Sequence, residues 1–422
     1  MPNPADAFTP AKVIDSPDRF SGRQGQLQAI ADALDMDGGH IIIYGNRGVG
    51  KSSLAQQMML MAQDHADVTA RLTHQPFTKM DFLPVYLQCD DSLRTIDDVL
   101  LRLLTSSTGL RDWIPYKIIS HETTGQVEGS ISVKILKVGG KTSDKVVQAP
   151  EAVTADLRTI FLNAVQSVVD SGIASRGIII VIDEFDRVAD RSGLASLLKS
   201  VGEKVKFALV GVATNVSELV NEHESVSRQL TGGCIPVPPM DQDEIEGIFN
   251  RGEAILENAI SFDRDARNYI STVSRGHPFL VHLICLTSAI VALRASQNII
   301  KLEDAQSALS EIALKGTAPI QEALYKKAVG HSHTRETILK KFADISDEEI
   351  RTTPVYVDIA STLGIADQGI ISVYMGQLAS DRYGHVIERV RDRYYRFKDS
   401  FFKAYAASRP PLLTSTNADN DE

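Results

Sequence analysis

Residues 40–53 read "HIIIYGNRGVGKSS", and no other stretch limits the fold of this chain so tightly. An apolar run at 41–44 predicts a short buried strand, and the residues from Lys51 to about 64 predict a helix. Between them, Gly45, four residues, Gly50, Lys51 and Ser52 form the phosphate-loop pattern in its strand–loop–helix setting. Glycines let backbone N–H groups turn inward, and the helix start adds partial positive charge. Lys51 is placed to reach the β and γ phosphates of a nucleotide, and Ser52 to offer its hydroxyl to Mg²⁺. The expected phosphate-holding residues are therefore Gly45, Asn46, Arg47, Gly48, Val49, Gly50, Lys51, Ser52 and Ser53.

Such a loop calls for a second element, an apolar strand ending in acid. Residues 177–184, "GIIIVIDE", supply it, with Asp183 to hold Mg²⁺ and Glu184 to orient the attacking water. The base-reading Asn/Thr-Lys-x-Asp motif of GTPases is missing after the sheet, which selects ATP. Further strands are expected at 83–89, 206–215 and 234–239, with helices between them. That alternation predicts an α/β fold, a parallel sheet with helices on both faces.

The 422 residues exceed one ordinary domain. Charged residues at 23% and a net charge of −10 argue against coating nucleic acid through bulk electrostatics. Cys89, Cys234 and Cys285 have no metal-ligand spacing, which is cytosolic usage. No signal-peptide order opens the chain. The apolar run at 278–293 falls short of the about 18 uninterrupted residues of a membrane span, so a buried helix and a cytoplasmic protein with no membrane contact are expected. Residues 1–19 read as a flexible arm, 20–240 as the nucleotide-binding core and 116–148 as an inserted β-hairpin. Helix is expected to resume over 152–171. Residues 241–316 read as a helical lid, 334–405 as a further compact domain and 409–422 as a disordered tail.

Several motifs resemble the AAA+ superfamily, in particular STAND-type and origin-recognition-like ATPases, over roughly residues 18–400. "RFSGRQGQL" at 19–27 resembles the leading segment that lies over the adenine, which implicates Arg23. "DEFDR" at 183–187 is similar to the extended acid motif, and "VGVATN" at 210–215 occupies the first sensor position. There Thr214 or Asn215 would touch the γ-phosphate or its water. "SRGHPFLVHLI" at 274–284 resembles the nucleotide-reporting segment of the lid, with Pro278 at its centre. Arg228 stands where the family presents an arginine finger to a neighbouring subunit. Each has a plainer alternative: Asn215 as a helix cap, Pro278 as the start of an ordinary helix, Arg228 as a solvated side chain.

Residues 334–405 resemble a winged helix, with a helix-turn-helix joined at Gly364 and a wing at 384–399. The resemblance leaves open whether such a domain meets DNA or protein. From 366 to 381 there is no Lys or Arg, and only Gln368 and Gln377 could read a base edge. The wing is basic, with Arg389, Arg391, Arg393, Arg396 and Lys398 against Glu388 and Asp392. The resulting expectation is a Mg-ATP-hydrolysing switch. Its partner would be a protein effector or further copies in an ATP-dependent oligomer; the alternative is an initiator-like ATPase holding DNA through its wing arginines.

Overall fold

The computed structural model describes residues 3–114, 116–123, 131–137, 153–220, 226–314, 318–345, 347 and 349–412. They divide into two compact units: a sheet unit of residues 13–46 and 50–238, and a helical unit of residues 1–12, 47–49 and 239–422.

The arm expected to be loose is packed. Asn3 caps helix α1 (Pro4–Ala7). The Phe8 side chain is fully buried in the helical unit, edge-on to Phe262 at 5.7 Å. It fits because Gly252 has no side chain; a Cβ there would stand 2.3 Å from the Phe8 ring.

In the sheet unit the chain runs α2 (Gln24–Asp35), β1 (Ile41–Gly45), α3 (Lys51–Ala62), α4 (Ala66–Thr69), β2 (Phe82–Gln88) and α5 (Ile96–Thr105). It continues β3 (Tyr116–Thr123), β4 (Ile131–Lys137), β5 (Val153–Asp156), α6 (Leu157–Asp170), β6 (Gly177–Asp183), α7 (Leu194–Ser200), β7 (Val205–Val212) and β8 (Cys234–Pro236). The main sheet has the order β2-β6-β7-β1-β8, and every pairing in it is parallel. Its interior strand β6, between β2 and β7, is buried at all seven positions, which is why "GIIIVID" shows no polar alternation. Ile178, Ile180 and Ile182 share a core with α5, α6 and α7.

The inserted hairpin gains a third strand. β3, β4 and β5 form an antiparallel sheet in that order. The helix expected from 152 therefore begins at Leu157, where the Asp156 side chain accepts from the Thr159 N–H at 3.1 Å and caps it. Residues 124–130 and 138–152 of the insertion lie outside the described residues.

The helical unit runs α8 (Gln242–Ile255), β9 (Ser261–Phe262), α9 (Arg264–Ser274), α10 (Pro278–Arg294), β10 (Ile299–Ile300), α11 (Leu302–Leu314), α12 (Pro319–Val329) and α13 (His333–Ala343). Then come β11 (Ile350–Arg351), α14 (Thr352–Leu363), α15 (Gln368–Leu378), β12 (Ile387–Arg391), β13 (Tyr394–Phe397) and α16 (Ser400–Ser408). Strands β11, β13 and β12 pair antiparallel. One continuous hydrophobic core joins the segments expected to be lid and winged helix, from Ile245 to Ala406. The apolar run at 278–293 is the buried helix α10. No described helix is long and apolar enough to cross a membrane.

The tail expected from 409 begins packed. Buried Arg409 meets both oxygens of buried Glu322, with Nε to Oε2 and Nη2 to Oε1 each 2.8 Å. Tyr405 Oη donates to the same carboxylate at 2.7 Å. Residues 413–422 lie outside the described residues.

At the opposite end of the main sheet from the phosphate loop, buried His40 ties β1 to α7 and β7. Its Nε2 donates to Leu198 O at 2.8 Å, and its Nδ1 accepts from the Phe207 N–H at 3.2 Å. Burial first, then the Lys206 charge, lowers its pKa, so the fold holds it neutral. The unfolded chain protonates this imidazole below about pH 6.5. Stability is therefore expected to fall as pH drops through that value, by at most about 1.4 kcal/mol per pH unit from this group. Denaturant melts at pH 7 and pH 5 check it: His40→Gln, whose amide can both donate and accept, should show a shallower loss than the parent.

Candidate functional site

The sheet order gathers the carboxyl ends of β1, β6 and β7 at one edge, where ligands of open α/β sheets bind. Gly45 ends β1 in register with Val212 of β7, and the Ala213 N–H donates to Gly45 O at 3.4 Å. A Cβ on Gly45 would lie 2.4 Å from Val237 O, so only glycine lets β8 close against the loop. Gly48 has φ +79° and Gly50 φ +94°, the left-handed turns that aim successive N–H groups at one point. Gly50 is the N-cap of α3 and offers no side chain. A helix start that takes no bond from its N-cap side chain is the kind that receives an anion. Lys51 Nζ rests on Asn46 O at 2.8 Å, and Ser52 is the second residue of the helix. Ser53 Oγ instead accepts from the Ile14 N–H at 3.0 Å, which makes it an anchor for the chain before α2. Arg47, Gly48 and Val49 cluster with the helical unit.

Asp183 ends β6, buried, at the register position of Gln88 on β2. Tyr86 Oη donates to its Oδ2 at 2.9 Å, and the Glu184 N–H to its Oδ1 at 2.8 Å. Burial and then the Asp183 charge push the Tyr86 pKa up, so the phenol remains a donor. Beside it, burial and the carboxylates of Asp183, Asp90, Asp186 and Glu184 push the Cys89 thiol up to about 12. This concentration of negative charge opposite a phosphate-turned loop suits a divalent cation.

Glu184 itself is tethered. It sits at φ +52°, uncommon outside glycine, and this conformation ends the strand. Its Oε1 accepts from Gln88 Nε2 at 3.2 Å, and its Oε2 pairs with Arg187 Nε. Arg187 Nη1 also reaches Asp91 at 2.9 Å. Asp186 faces the other way, its Oδ1 accepting from the Val212 N–H at 2.8 Å, which fixes the acid motif to β7. Sequence reasoning missed Tyr86, Gln88 and Arg187. The first two leave only an alternating strand as signal, and Arg187 shows in sequence only as a residue of the acid motif.

Asn215 is engaged as a cap: its Oδ1 accepts from the Glu218 N–H at 3.2 Å, and Thr214 N–H donates to the Glu218 carboxylate at 2.8 Å. The segment still leaves β7 beside the start of the loop. Arg23 is buried, and its Nη1 donates to Pro238 O at 2.7 Å, binding α2 to the end of β8. The leading segment is clamped by Arg71, which donates to Phe20 O at 2.9 Å and Gly22 O at 3.0 Å. Arg228 is exposed in a turn ahead of β8, with residues 221–225 outside the described ones. Pro278 is the first residue of α10 in the helical unit, after Gly276, whose O accepts from the Met240 N–H at 2.8 Å. The structure thus gathers Gly45, Lys51, Ser52, Asp183, Glu184 and the 213–215 segment at one sheet edge. Arg23 faces Pro238, and Pro278 belongs to the other unit.

Residues 19–210 match the model of the AAA ATPase domain family. No curated protein matches the chain. Among solved structures, the chain is similar to a Walker-type ATPase of Pyrococcus abyssi, with 14% identity, TM-score 0.49, and 94% of this chain and 98% of that one covered. It is similar also to the ORC2 protein of Aeropyrum pernix in ADPNP–ADP complexes, with 14% identity, TM-score 0.48 and coverages of 95% and 98%. The ORC1 protein of the same organism in complex with DNA gives 16% identity, TM-score 0.45 and 96% of each chain. With its phosphate loop and acid-ended strand on either side of β7 in one parallel sheet, this chain is a P-loop ATPase carrying an AAA ATPase domain over residues 19–210.

Proposed function

We propose that this ATPase is a cytoplasmic, STAND-like molecular switch whose nucleotide state governs assembly with a protein partner or with further copies of itself. The observation that supports a switch is the tether on Glu184. Its carboxylate is held between Gln88 and Arg187, so turnover waits on a rearrangement that frees it.

In this reading, Lys51 leaves Asn46 O for the β and γ phosphates, which the first N–H groups of α3 also hold. Ser52 and Asp183 hold Mg²⁺. No group of three or more His, Cys, Asp or Glu converges among the described residues, which suits an ion that takes the rest of its ligands from phosphate and water. When bound, the ion neutralises charge on the phosphates. Glu184, once released, polarises the attacking water. Asn215 orients the γ-phosphate only if it leaves Glu218, and Arg228 serves the site of a neighbouring copy as a finger. Pro278 and the lid around it sense the nucleotide, while Arg23 supports the adenine side from behind.

The segment 334–405 acts as a winged helix that meets protein. The rival reading, DNA held by the wing, draws on exposed Arg389, Arg391 and Arg393. Each already faces a carboxylate: Arg389 and Arg393 face Asp392, and Arg391 faces Glu349 at 3.0 Å. Gln377 accepts from Arg335 Nη1 at 2.6 Å and is not held out toward a base. Gln368 starts α15.

Three substitutions test the reading. Lys51→Ala should weaken Mg-ATP binding about 100-fold in titration calorimetry, the size of a lost charge-assisted contact, with melting unchanged. Glu184→Gln should bind ATP like the parent and release phosphate at least about 100-fold more slowly. Arg187→Ala frees Glu184 and should raise basal phosphate release a few-fold; a fall to the Glu184→Gln level would mean that Arg187 supports the water-orienting pose instead of restraining it.

A further inference from the structure

We infer that Tyr86 is a positioning residue for the metal: its hydroxyl fixes the Asp183 carboxylate in the pose that receives Mg²⁺, and so sets how tightly the ion is held. This rests on the assignment of Asp183 to Mg²⁺ in the reading above and names the side chain that governs it.

β2 is an edge strand of the main sheet. Val85 and Leu87 face the hydrophobic core of the sheet unit, and Tyr86 between them is half-buried. Successive side chains of a strand point to opposite faces, so Tyr86 shares its face with Gln88. In the register of β2 on β6, Tyr86 pairs with Val181 and Gln88 with Asp183. Asp183 thus lies on the same face, two residues and about 6.6 Å further along β6 than the partner of Tyr86. The long, rigid phenol covers that span, and its Oη donates to Asp183 Oδ2 at 2.9 Å. Gln88 Nε2 donates to Glu184 Oε1 at 3.2 Å. Consecutive strand residues would point apart, but the φ of +52° at Glu184 breaks the alternation. One face of β2 therefore serves both acids, through two donors placed two residues apart.

Asp183 is 2% exposed, and each of its oxygens is engaged: Oδ2 by the phenol, Oδ1 by the Glu184 N–H at 2.8 Å. A carboxylate offers about four lone-pair sites. These two bonds fix its plane and still leave room on it for a cation. A carboxylate held in this way keeps its orientation before the ion arrives, and such supporting partners change metal affinity or activity by about 10–100-fold. The two donors differ in kind. The Glu184 N–H belongs to the backbone and is present whatever side chain stands there. The phenol is a matter of sequence: phenylalanine would fill the same space on β2, and what the hydroxyl adds is the bond to Asp183.

The test is the affinity of the full chain for the non-hydrolysable ATP analogue ADPNP, measured by titration calorimetry in EDTA and across a Mg²⁺ series. The parent, Tyr86→Phe and Asp183→Asn are compared. Without metal, Tyr86→Phe should bind the analogue like the parent, since its ring remains and the phosphate loop is untouched. The Mg²⁺ concentration that gives half of the metal-dependent gain should rise at least about tenfold. A residue that merely packs the sheet would move the two affinities together or move neither. The role of Tyr86 is overturned if that Mg²⁺ concentration is unchanged or lower, or if the metal-free affinity falls by the same factor. It is overturned too if Tyr86→Phe fails to fold, because the hydroxyl would then be a support of the sheet. Asp183→Asn separates this inference from the one beneath it. If the parent shows no metal-dependent gain, or Asp183→Asn keeps it, the Mg²⁺ assignment falls and the role of Tyr86 with it. If Asp183→Asn loses the gain while Tyr86→Phe matches the parent, only the role of Tyr86 falls.

Discussion

The candidate site depends on one arrangement of backbone: β1 lies parallel between β7 and β8, with β6 on the far side of β7. Parallel pairing in register brings strand ends to one edge without help from side chains. It sets the loop after β1, the segment after β7 and the acid after β6 within one neighbourhood. The fit is close enough that Gly45 tolerates no side chain against Val237 O. The phosphate loop is therefore not a free turn grafted on a fold; its first residue is a packing contact of the sheet.

Charge is distributed to match. The charges of four carboxylates act on Cys89 on the side of β6, and Lys51 stands at the start of α3 on the side of β1. Both sides have local partners: Lys51 a carbonyl, Glu184 the side chains of Arg187 and Gln88. Such partners hold each group near its working position, and ligand binding then exchanges them for stronger ones instead of creating order anew.

The parts legible in sequence are those whose chemistry is written in consecutive residues. The glycine spacing around Lys51, and an all-apolar strand running into Asp183 and Glu184, declare both backbone and role. Contacts across long separations were not legible. Arg187 meets Asp91 and Gln88 meets Glu184 from 96 positions away, and Phe8 fills a space that exists only because residue 252 is glycine. Arg23 and Asn215 show the opposite difficulty, since types suited to a ligand serve here to bind Pro238 and to cap a turn. The third inserted strand escaped because Val153–Asp156 precedes a strong helix pattern with only β-branched residues to mark it.

The Glu322–Arg409 pair has a consequence for how the protein is made. Glu322 lies buried in the helical unit; Lys326 of the same helix reaches its Oε1 at 3.3 Å, while Arg409 and the Tyr405 hydroxyl arrive more than eighty residues later in the chain. A buried carboxylate without its partner is strongly unfavourable. On the ribosome, α12 therefore completes its packing only once α16 and Arg409 have cleared the exit tunnel, with Lys326 as a local counter-charge until then. The sheet unit, complete at 238, is free to fold during synthesis. The helical unit closes in one late step, and until then its apolar surface is a natural substrate for chaperones.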